Sequence, residues 1–74
     1  MEHLIYKIED LQFDIELFNA HLSYLKDKYF ENLREENMEL AYYYIKEIEH
    51  TEQLLDRLYK RQEKAYKDLL ILYL

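Results

Sequence analysis

The chain is 74 residues long with a formal net charge of -6, and it contains no Gly, Pro, Cys or Trp. That length allows one domain at most, and the missing cysteines remove disulfides, thiolate zinc sites and cysteine nucleophiles together. A β-fold is nearly excluded too, because hairpin turns want Gly, Asn-Gly or Pro and strands want Val and Thr, yet Val is absent and Thr occurs once.

What remains is an all-α chain rich in Leu, Glu and Lys, which are good helix formers. Leu4, Ile8, Leu11, Ile15, Phe18, Leu22, Leu25 and Tyr29 are separated alternately by four and three residues. This is an unbroken heptad stripe, with Ile8, Ile15, Leu22 and Tyr29 at a and Leu4, Leu11, Phe18 and Leu25 at d. It predicts one helix over about residues 2–32. A second stripe follows. Ala41, Ile48, Leu55, Gln62 and Leu69 fall seven apart, Tyr44, Thr51, Leu58, Ala65 and Leu72 fill the other seam position, and Ile45, Tyr59, Tyr66 and Tyr73 flank it. The spacing predicts a second helix over about residues 36–73.

The two stripes are out of phase. Extending the first register into the second half would place Glu36, Tyr43, His50, Arg57 and Lys64 at a. One straight helix therefore cannot show both stripes on one face, and the chain is expected to reverse at about residues 32–36, within a polar segment. Asn32 followed by Glu35 resembles a capping box, and Asn37 is a second candidate N-cap. A bent continuous helix is the alternative, because no Gly is present to end the first helix. Two long helices joined by a short loop make an antiparallel, coiled-coil-like hairpin. Below roughly 80 residues a single core rarely supplies more than about 3–5 kcal/mol, so a chain without disulfides is expected to lean on regular packing and self-association.

A hairpin leaves apolar surface unexplained. Tyr6, Phe13, Leu17 and Tyr24 form a second helical line at positions f, f, c and c, turned away from the seam. In a lone hairpin this line would be wet, and such patches usually mark contact sites. Tyr42, Tyr43 and Tyr44 span too many faces for all three to be buried, and Tyr43 is taken as the free one. The C-terminal run from Leu69 to Leu74 is apolar all round, so Leu70, Ile71 and Leu74 also need cover. These eight residues, Tyr6, Phe13, Leu17, Tyr24, Tyr43, Leu70, Ile71 and Leu74, are the candidate partner-binding or oligomer-interface residues. The expected architecture is a hairpin assembling as a dimeric four-helix bundle.

Charge narrows the partners. Residues 1–37 hold 4 basic and 9 acidic side chains, and residues 38–74 hold 6 and 7. Arg57, Lys60, Arg61, Lys64 and Lys67 make a basic stripe expected to pair with Glu2, Glu9 and Asp10 across the hairpin. A nucleic-acid site needs a dominant positive field, which a chain of net charge -6 does not offer. Membrane binding is not expected either. No apolar run approaches the roughly 20 residues of a transmembrane helix, and anionic lipid attracts basic amphipathic helices. No secretory signal is visible, so a cytoplasmic location is expected.

No catalytic constellation is present in the sequence. The one Ser, Ser23, and His21 are two residues apart and do not face each other on a helix. Glu47 and His50 match the Glu-x-x-His spacing of di-metal bundles, but Ile48 holds the seam and turns both to the flanks. No cofactor, no metal and no enzymatic activity are therefore expected. Two functions fit: a self-associating, homodimeric structural or scaffolding module, or a small acidic inhibitor or regulator of phage or mobile-element type that docks on one host or cognate protein. Such a chain can imitate the phosphate backbone in a DNA-binding cleft.

Overall fold

In the computed structural model, which describes residues 2–73 and the side chains of residues 2–72, the heptad stripes become two helices. Helix α1 spans Glu2–Arg34 and helix α2 spans Met38–Tyr73. They pack against each other as an antiparallel hairpin, giving a rod of 56 × 15 × 13 Å. Met1 and Leu74 lie outside the described residues.

The reversal is tighter and later than the sequence predicts. Asn32 does not cap α2. It sits inside the last turn of α1, buried, with its Nδ2 donating to the Lys28 carbonyl at 2.7 Å. Glu36 takes a left-handed backbone, φ 59°. Its N–H donates to the Leu33 carbonyl at 3.1 Å, and the Asn37 N–H donates to the Asn32 carbonyl at 2.8 Å. This pair of bonds is a Schellman closure, which normally places Gly where Glu36 stands. A helix without glycine thus still ends, at the cost of holding an L-residue in the left-handed well, roughly 1–2 kcal/mol. Asn37 is the N-cap of α2: its Oδ1 accepts from the Leu40 N–H at 3.4 Å, and its carbonyl accepts from Ala41 at 3.0 Å.

The seam is built as the two stripes require. Leu11, Ile15 and Leu25 from α1 are buried against Ala41, Ile48, Leu55 and Ala65 from α2. The α1 stripe is uniformly large, whereas α2 alternates Ile48 and Leu55 with Ala41, Thr51 and Ala65. Alternation of this kind lets facing side chains interdigitate. Leu4, Ile8, Phe18, Leu22, Tyr44, Leu58 and Leu69 line the seam half-buried. One predicted seam residue departs from the pattern: Leu72 is 56% exposed. The chain reverses at residues 35–37, so Leu72 stands at the open end of the rod, level with the first turn of α1, where Leu4 is the last seam residue.

Polar groups enter the seam in three places, Asn32, Thr51 and Gln62. Gln62 donates from Nε2 to Gln12 Oε1 at 2.7 Å, and Gln12 in turn donates to Glu16 at 3.1 Å. Among the described residues no buried side-chain nitrogen or oxygen lacks a hydrogen bond. A second cross-hairpin bond joins Asn19 Nδ2 to the Tyr59 hydroxyl at 3.1 Å. These two bonds, at different heights on the rod, fix the axial register of α1 on α2.

The expected ion pairs between the helices are absent among the described residues. The five ion pairs all lie within one helix at i,i+3 or i,i+4. Lys60 pairs with Asp56, Lys64 with Asp68 and Lys67 with Glu63. The flexible lysines find an acid one turn away on their own helix, which costs less side-chain order than reaching across. Glu2, Glu9 and Asp10 make no ion pair among the described residues.

Candidate interaction surface

The helical period that buries Leu11, Ile15 and Leu25 necessarily turns positions f and c of α1 outward. Tyr6, Phe13, Leu17 and Tyr24 occupy those positions and are 61%, 60%, 53% and 51% exposed. Ala20, also exposed, fills the remaining position of this stripe between Leu17 and Tyr24. The predicted back line of α1 is therefore an apolar strip, interrupted by Asp10 between Tyr6 and Phe13, that runs for about 27 Å at 1.5 Å per residue, nearly half of the 56 Å rod.

Its polar borders are mixed. At one end His21 stacks against Tyr24 with ring centroids 6.3 Å apart, and the Lys28 ammonium lies 5.9 Å from the Tyr24 ring centre. Lys28 also donates to Glu31 at 3.1 Å. That hydrogen bond first, and the Glu31 charge second, hold the Lys28 ammonium above its ordinary value of 10.5. At the other end Tyr6 borders an open groove of about 400 Å³, lined also by Leu11 of the seam, by His3, Lys7, Asp10 and Asp14, and by Arg61 from α2. Arg61 makes no ion pair among the described residues, although two carboxylates line the same groove.

The other predicted residues lie at the two tips. Leu70 and Ile71 are exposed at 62% and 66% on the last turns of α2, at the open end. Leu74 lies outside the described residues. Tyr43 is exposed near the turn and packs edge-on against Tyr44 at 5.2 Å. Tyr42 is more exposed still, with Lys46 over its ring at 5.3 Å. The predicted set is thus one strip plus two separate tips, and not a single patch.

Sequence reasoning missed Phe30, Met38 and Leu40, all exposed around the turn. Each lies off both stripes, and that was the available signal: an apolar residue outside the seam register of a long helix. Phe30 packs edge-on against Tyr29 at 5.3 Å.

Glu47 is half-buried and His50 exposed on the flanks of α2, and among the described residues no three metal-ligating side chains come together. Ser23 and His21 are both exposed. No helix among the described residues is long and apolar enough to cross a membrane. Compared with protein-family models, curated proteins and solved structures, the chain matches none of them.

Proposed function

We propose that this chain is a non-enzymatic protein–protein interaction module, a self-associating helical hairpin with a structural or scaffolding role, whose simplest assembly is a homodimer with four helices in all. The observation that carries the reading is the exposed strip Tyr6, Phe13, Leu17 and Tyr24 on the side of α1 turned away from α2. An apolar patch of this kind often marks a contact site. A small single core also gains from burying more area in an oligomer. A cytoplasmic setting accompanies the proposal, since a secreted domain of this size would usually carry disulfides and this chain has no Cys.

Light scattering at micromolar concentration tests it. The expected result is the mass of two chains. Phe13→Glu is expected to reduce that to one chain while circular dichroism keeps its helical signal, because the residue is outside the seam. A wild-type monomer, or a dimer indifferent to Phe13→Glu, would remove the support.

A second reading rests on a separate observation. Among the described residues the carboxylates of α1 form no ion pair with the basic stripe of α2, and the five ion pairs found all stay within one helix. Glu9 and Asp27 therefore stand unpaired beside the apolar strip, while Asp10 and Asp14 share their groove with Arg61. An acidic inhibitor docking on a basic, DNA-binding cleft would use that combination. It is distinguished by a wild-type monomer that binds a basic target, with affinity that falls as salt rises.

A further inference from the structure

We infer that two copies pair through α1 alone, antiparallel about a two-fold axis at the level of residue 15, so that the four helices stand in a row, α2–α1–α1–α2, with two separate seams. This rests on the self-association proposed above. A square bundle sharing one central core would need apolar flanks beside the seam on both helices, and only α2 offers them, at Ile45, Tyr59 and Tyr66. Through the middle of α1 the flanking positions e and g instead carry Gln12, Asn19, Lys26, Asp14 and His21, and apolar residues flank only its ends, at Ile5 and Leu33. Two of these are already engaged within the hairpin, Gln12 with Gln62 and Asn19 with Tyr59. A line of four uncovered large apolar side chains lies on the far side of α1, and a second copy seated there cannot reach the first seam.

Area, spacing and charge agree on the occupant. Four large side chains, each more than half exposed, offer roughly 400 Å² per copy. With flanking residues a symmetric pair would bury on the order of 1,000 Å², where specific interfaces begin. The spacing of the strip is the same in both directions, seven, four and seven, with Tyr at both ends and Phe and Leu inside. Reversed on itself, it sets Tyr6 against Tyr24 of the second copy and Phe13 against Leu17, a self-complementary contact of the kind a two-fold requires. The same stripe carries Asp10 and Asp27. A parallel pair would set each carboxylate against its own copy. The antiparallel pair sets Asp10 against Ala20 and brings Asp27 to His3.

The absence of Cys makes the geometry testable by single substitutions. Asp10→Cys and Ala20→Cys would be prepared separately and treated with a short bis-maleimide, alone and mixed. The expected result is cross-linked dimer in the mixture, about tenfold above either variant alone. Efficient cross-linking of each variant with itself would overturn the antiparallel order. A dimer by mass with no cross-link in any combination would overturn the use of this face while leaving self-association intact. A wild-type monomer would sink both. If either substitution dissociates the pair, His3→Cys mixed with Asp27→Cys carries the same test with the same outcomes. Salt gives an independent readout: two chains of net charge -6 held by apolar contact are expected to associate several-fold more tightly as salt screens their repulsion. Weakening with salt would mean that charge pairs, and not the apolar strip, hold the copies together.

Discussion

Helices α1 and α2 are nearly equal in length and share one seam, yet their outer faces differ. The outer face of α2 between Lys46 and Lys67 carries its own ion pairs, Lys46 with Glu49, Lys60 with Asp56 and Lys67 with Glu63, with half-exposed Tyr59 and Tyr66 beside the seam. The outer face of α1 carries Tyr6, Phe13, Leu17 and Tyr24 in a line, bordered by carboxylates without partners on α2. Along its middle the back of α2 is charged, and the back of α1 is largely apolar. The difference places the demand for a further contact on α1, and folding stability and association should therefore respond to different residues of the same helix.

Ile15 and Leu17 make the sharpest trial of that separation, because they lie two residues apart on opposite faces. Ile15 is 3% exposed, and Ile15→Ala is expected to cost about 2–5 kcal/mol, comparable with everything a core of this size provides. Urea denaturation should show the loss at any protein concentration. Leu17→Ala should change the stability of the isolated hairpin by no more than about 0.5 kcal/mol and instead weaken association, seen as loss of the concentration dependence of melting. Equal effects at the two positions would break the comparison.

The turn comes next in size. Asn37→Ala should destabilise by about 1 kcal/mol through loss of the cap on the Leu40 N–H. Glu36→Gly should stabilise by a similar amount, roughly 1 kcal/mol, by relieving the left-handed backbone. Smaller still, Gln62→Leu should leave stability within about 1 kcal/mol, because Gln12 is exposed and can turn to water; its expected mark is looser register, read as extra amide signals in the nuclear magnetic resonance spectrum. The smallest effect belongs to Lys28. Its raised pKa means that the bond to Glu31 is fully present below the ordinary lysine value of 10.5 and is lost as pH climbs through the raised one. Glu31→Gln should bring the Lys28 titration back down without a measurable change in melting.

Two helices, their phase mismatch and the exposed strip could all be read in advance, because each is a property of a single helix. A period of 3.6 residues assigns Leu11, Ile15 and Leu25 to one side and Phe13 and Leu17 to the other without knowledge of the partner helix. What could not be read depends on how the helices meet. The exit of α1 rested on Glu36 accepting a conformation that composition argues against, so Asn32 looked like a cap when it is a buried last-turn residue. The position of that turn decides whether Leu72 finds cover, and it does not. The basic stripe looked complementary to Glu2, Glu9 and Asp10, but nearer acids on α2 satisfied three of its lysines first.

The left-handed residue in the turn has one more outcome. Were α1 and α2 to run on as a single straight rod, Glu36 would return to ordinary helical angles and release its backbone cost, while the chain would forfeit the contact between its own arms. A second opened chain restores that contact by lending its arms in exchange. The hairpin thus carries a standing incentive toward domain swapping that grows with protein concentration, and Glu36→Gly, which makes closure cheaper, should suppress it.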